Sequence, residues 1–70
     1  MADVFKMKIN PDKLKRLMLE KGVEPKDLAY KAKVSMAYIY QCMHGKSLRL
    51  KTINKLANAL GVSPNEIIDE

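Results

Sequence analysis

The stretch Pro25-Lys26-Asp27-Leu28-Ala29-Tyr30-Lys31-Ala32-Lys33-Val34-Ser35-Met36-Ala37-Tyr38-Ile39-Tyr40-Gln41-Cys42-Met43-His44-Gly45 decides the fold. It reads as two short helices with only Lys33-Val34-Ser35 between their cores. Pro25 is pre-set for a first helical position, and Asp27 in the first turn complements the positive end of the helix dipole. Leu28, Ala29 and Ala32 give this helix a buried face. Ser35 is a good N-cap for the second helix, which ends before Gly45. Ile39, Cys42 and Met43 recur at i, i+3, i+4 and point inward, leaving Met36, Ala37, Tyr40, Gln41 and His44 outside.

Two helices joined by so short a turn must cross steeply. Their backbones then need a small residue at the contact, which Ala29 supplies, and an apolar plug in the turn, which Val34 supplies. A β-branched residue ten positions after Ala29, Ile39, locks the second helix onto the first. This spacing predicts a helix-turn-helix over 25–44, whose second helix has the shape to enter a DNA major groove.

Outward from this corner the chain continues as short helices. Asn10 caps a first helix that opens with Pro11 and Asp12, carries the stripe Leu14, Leu17, Met18 and stops at Gly22. Ile53, Leu56, Ala57 and Leu60 repeat at i, i+3, i+4, i+7, so a fourth helix spans 50–60 and ends at Gly61. Ser63-Pro64-Asn65-Glu66 carries both a capping box and a proline start, predicting a fifth helix anchored by Ile67 and Ile68. Phe5-Lys6-Met7-Lys8-Ile9 alternates apolar and basic, a strand-like period that predicts a short extended arm. The expectation is therefore an all-α, compact five-helix domain over 10–70 with an N-terminal arm at 1–9.

Seventy residues make one small core, and one cysteine excludes an internal disulfide. Cys42 and His44 alone cannot fill a zinc site, so neither metal nor cofactor is expected. No stretch approaches a membrane span and the N-terminus has no continuous apolar run, so a cytoplasmic protein is expected. The net charge is +5, and its distribution says more than its size. From Leu28 through Asn65 there is no acidic residue, while Lys31, Lys33, Lys46, Arg49, Lys51 and Lys55 all fall there. A solvated surface usually mixes both signs, so this one-sign field reads as a phosphate-facing surface.

Leu28-Ala29, Val34-Ser35, Ile39, Gly45-Lys46 and the run Ile53 to Val62 together resemble the lambda repressor/Cro-like helix-turn-helix family. The resemblance covers roughly 10–69. It implies a five-helix domain that binds duplex DNA, usually as a homodimer on a two-fold operator, as a transcriptional regulator of repressor type. Position by position it implies that Met36, Ala37 and Gln41 face base edges. Gln41 is the strongest reader, since its amide can pair bidentately with adenine. The same transfer assigns Lys26, Ser35, Tyr40, His44, Lys46, Ser47 and Arg49 to the sugar-phosphate backbone. Three positions depart from the family pattern: Pro25 where Gln is common, Lys33 where Gly is common, and Met43 where Glu is common.

A protein-interaction module on the same scaffold is the alternative; Pro25 and Met43 favour it and the acid-free middle opposes it. An enzyme is not expected: there is no Ser/His/Asp set, no phosphate-cradling glycine loop and no metal cluster. No small-molecule ligand is evident. Leu48, Leu50, Val62, Ile67, Ile68 and the arm from Phe5 to Ile9 are the apolar candidates for a dimer contact.

Overall fold

Most of the helix ends fall on residues suited to that place. A computed structural model of the chain describes residues 6–69. The helices are α1 (Pro11–Lys21), α2 (Pro25–Ala32), α3 (Met36–Cys42) and α4 (Leu50–Leu60). At the start of α1 the Asn10 side chain accepts from the Lys13 amide at 3.1 Å, and at α3 the Ser35 hydroxyl accepts from the Tyr38 amide at 3.1 Å. At α2 the Asp27 carboxylate reaches back to accept from the Glu24 amide at 3.2 Å. Each contact satisfies a backbone donor that helical geometry leaves over.

The C-termini of α1, α2 and α4 share one device. Gly22, Lys33 and Gly61 adopt left-handed backbone at φ 64°, 60° and 70°. The following valine then donates its amide back into the last turn: Val23 to Met18 O, Val34 to Ala29 O, Val62 to Ala57 O. This is the Schellman closure, whose hydrophobic residue just past the cap covers the helix end. All three valines are half-buried against the core. Glycine takes the left-handed position without cost in two cases; in the third Lys33 does so with a Cβ.

The buried side chains Ile9, Leu14, Leu28, Ile39, Leu48, Ile53, Leu56 and Ile67 form one cluster to which all four helices contribute, with Met7 half-buried against it. α2 packs against both α3 and α4, so the helix-turn-helix is seated on α4, whose face Ile53, Leu56, Ala57, Leu60 is buried as its periodicity predicts. Burying each such aliphatic side chain contributes about 1.5–3 kcal/mol.

The expected all-α, five-helix architecture needs two corrections. The fifth helix is a single 3₁₀ turn, Pro64–Glu66, held by a Ser63 amide to Glu66 carboxylate contact at 3.3 Å. Ile67 closes it in a turn conformation at φ −122° and ψ −3°, and β-branched Ile68 then forms a bridge with Ile9 instead of continuing a helix. The second correction is a two-stranded antiparallel sheet. Strand β1 (Lys6–Lys8) pairs with β2 (Ser47–Arg49) in the register Lys6 opposite Arg49, Met7 opposite Leu48, Lys8 opposite Ser47.

Of the expected arm, 1–5 lie outside the described residues. Residues 6–9 are bonded on both sides: Ile9 donates to Lys46 O at 3.1 Å, and Asp69 donates to Lys8 O at 2.8 Å. Ile9, Leu48, Ile67 and Ile68, expected as apolar dimer candidates, are therefore core residues. Val62 is half-buried and Leu50 keeps 45% of its surface exposed. Phe5 lies outside the described residues.

Cys42 is fully buried, and burial pushes its thiol up from 9.0 to about 11, against a smaller lowering by Lys46. The folded chain thus holds this proton between pH 9 and 11, where the unfolded chain gives it up. Stability is full below pH 9 and falls as pH rises towards 11, by about 2–3 kcal/mol in all. Urea unfolding from pH 8 upward should show the advantage of wild type over Cys42→Ala shrinking by that amount. At the α2 terminus, Lys33→Gly relieves about 1–2 kcal/mol of left-handed strain and costs roughly 0.5–1 kcal/mol of chain entropy. A net gain of about 0.5–1 kcal/mol in urea unfolding is expected.

Candidate nucleic-acid interface

The α2–α3 corner presents one face of α3 to solvent. Ile39 and Cys42 are fully buried and fix the helix in rotation. Met36 and Tyr40 are consequently 43% and 47% exposed, and Ala37, Gln41 and His44 are exposed beside them. Met43 turns out half-buried against the core, which accommodates an apolar side chain where the family often has Glu. The face holds two apolar side chains, a tyrosine, an amide and an imidazole, with no carboxylate on the helix.

Some predicted contacts are already engaged within the fold. The Ser35 hydroxyl accepts the α3 capping bond, which leaves its own proton to donate outward. His44 Nδ1 lies 2.7 Å from the Tyr40 carbonyl. A carbonyl only accepts, so Nδ1 carries the proton, and only the imidazolium form also offers an Nε2 donor to an anion. Lys26 is exposed in the first turn of α2, on a different element from the α3 face.

Ser47 and Arg49 lie on the sheet and Lys46 immediately precedes it. With Lys6, Tyr38 and Thr52 they line an open hollow of about 190 Å³. The Lys46 ammonium sits 5.7 Å from the centre of the Tyr38 ring, a cation–π contact that ties the loop after α3 to the flank of that helix. Tyr38 is half-buried there, three residues from Gln41 and hence its surface neighbour. Arg49 ends β2 and is also the N-cap of α4, where it supplies no side-chain acceptor. Lys6 and Thr52 were not anticipated in the sequence. The alternation of lysines through Phe5–Ile9 was the available signal for Lys6, but not for what it faces.

A buried-core helix-turn-helix with an outward, acid-free second helix beside a cationic hollow defines a nucleic-acid-binding domain. Residues 13–69 match the Cro/C1-type HTH DNA-binding domain, and the chain belongs to that family. Among solved structures it is similar to the restriction-modification controller protein C.AhdI from Aeromonas hydrophila. The two are 30% identical with a TM-score of 0.75, over 80% of this chain and 86% of that one. It also resembles in fold a segment of a hydroxyethylphosphonate dioxygenase mutant at 22% identity and a TM-score of 0.80, and of native PhpD with cadmium atoms at 22% and 0.77. This chain covers 14% of each of those longer chains and is itself 91% covered. No curated protein sequence matches at a comparable level.

The division of labour on α3 has a direct test in the unliganded protein. Ile39→Ala should cost about 2–5 kcal/mol in urea unfolding. Gln41→Ala should stay within about 0.5 kcal/mol of wild type.

Proposed function

We propose that this chain is a transcriptional regulator, of phage or mobile-element repressor type, that lays α3 in the major groove of duplex DNA as a homodimer on a two-fold operator. One observation carries the reading: α3 exposes Gln41 on a face without carboxylates, next to the cationic hollow of Lys46 and Arg49. Family membership supports DNA binding, and the likeness to a restriction-modification controller supports a regulatory role.

Gln41 pairs with an adenine edge, while Met36 and Ala37 meet thymine methyls. Lys26, Ser35, Tyr40, His44, Lys46, Ser47 and Arg49 hold the sugar-phosphate backbone and set register. The homodimer draws on apolar surface outside α3, for which Leu19, Tyr30 and Leu50, at 81%, 85% and 45% exposure, are available. The same side chains would serve the second reading, a protein-interaction module, whose binding would be insensitive to salt.

Selection from a random duplex library should return two related half-sites about 10–10.5 bp apart, centre to centre. On the selected duplex, Gln41→Ala should lose about 1–3 kcal/mol and relax preference at one position per half-site. Lys46→Ala should weaken all duplexes alike and lower the salt slope by about 0.9. Wild-type behaviour of both variants on every duplex would remove α3 from the groove.

A further inference from the structure

The register of the small sheet sets two cations against each other. Alternation places Met7 and Leu48 on its inner face, against the core, and Lys6, Lys8, Ser47 and Arg49 on its outer face. Lys6 stands directly opposite Arg49. Directly opposed side chains in an antiparallel pair have Cβ atoms about 4.5–5.5 Å apart, and like charges there destabilise the sheet. No carboxylate lines the hollow over this pair: the segment that carries β2 has no acidic residue between Leu28 and Asn65, and Asp69 meets β1 at Lys8, on the edge away from β2. Lys46 adds a third cation to the same hollow, and Ser47 and Thr52 add hydroxyl donors. Every one of these charged or hydroxyl groups can donate to an anion.

The hollow is also placed. Tyr38 forms its wall on the α3 side, and Gln41 is the neighbour of Tyr38 on the helix surface. The hollow therefore adjoins the exposed face of α3 on its Gln41 side.

We propose that the outer face of the β1–β2 sheet, centred on the Lys6–Arg49 pair, is a phosphodiester clamp for the DNA strand alongside α3. The inference rests on the groove-binding reading of α3 and extends the contact surface to the N-terminal strand. The bound phosphate supplies the negative charge that the cross-strand pair lacks. The free protein therefore carries a repulsion that DNA removes, so the strand contributes to binding at the expense of stability. A solvated lysine face without a ligand predicts the first half of that trade but not the second.

The test uses the full chain in fluorescence anisotropy titrations over a sodium chloride series, with the selected duplex and an unrelated one, and thermal unfolding without DNA. Lys6→Gln should weaken both duplexes by the same factor, leave base preference intact and lower the salt slope by about 0.9, the loss of one phosphate contact. In the same variant Tm at low salt should rise, and Lys6→Glu, which faces Arg49 with an opposite charge, should raise it further while weakening DNA binding more. Lys15→Gln, an equal charge change on the exposed surface of α1, should leave the slope unaltered. If Lys6→Gln keeps wild-type affinity and slope while Gln41→Ala still loses discrimination, the clamp is wrong and the groove reading stands. If the wild type binds neither duplex in a salt-dependent way, both fall together.

Discussion

Everything exposed on α3 depends on how α2 ends. Lys33, at φ 60° and ψ 45°, returns its amide to Tyr30 O while Val34 returns its own to Ala29 O. The chain is thereby turned sharply and released at Ser35, whose hydroxyl starts the next helix at once. Ile39 and Cys42 then fix the rotation of α3 by burial. A different angle at this corner would bury a different set of side chains. The choice of Met36, Ala37, Tyr40 and Gln41 as the outward face is thus a consequence of backbone closure three to eight residues earlier, more than of anything those residues do themselves.

Charge is arranged on top of this geometry by omission. Apart from Asp3, the acids sit in α1, at the start of α2 and after α4, where Asp27 and Glu66 accept from the backbone amides of Glu24 and Ser63. The middle of the chain has none, and the fold gathers two of its cations with one from the N-terminal strand: Lys46 on the ring of Tyr38, Arg49 at the junction of β2 and α4, and Lys6 opposite Arg49 across the sheet. Such a layout costs some self-repulsion in the free protein, and a polyanion offsets it.

The sequence made the helices plain because their signals are local and redundant. Asn10-Pro11, Ser35 and the Ile53–Leu60 stripe each specify an element within one or two turns, and all held. Gly22-Val23 and Gly61-Val62 marked two closures, and Lys33-Val34 is the same motif with the glycine replaced. The sheet was not legible. Ser47-Leu48-Arg49 is too short to show a period, and its partner lies some forty residues away in Lys6–Lys8. The fate of Ile67 and Ile68 was hidden for a related reason: a capping box announces that a helix starts, and pairing with Ile9 decides that it stops. On the candidate site, the α3 face and the Lys46–Arg49 segment were readable as exposed or clustered. The addition of Lys6 and Thr52 required knowing which distant strand lies alongside.

The bridge between Ile9 and Ile68 brings the two flanks of the folded unit side by side, with Asn10 bonded to Ile67 O at 2.9 Å and Asp69 to Lys8 O at 2.8 Å. A polypeptide running through this domain comes in and goes out at one seam. Such a unit can be spliced into a longer host chain with little displacement of what lies on either side. That portability accords with the recurrence of this architecture as a small segment of much larger proteins. The seam that completes the core is also what would make the domain transplantable.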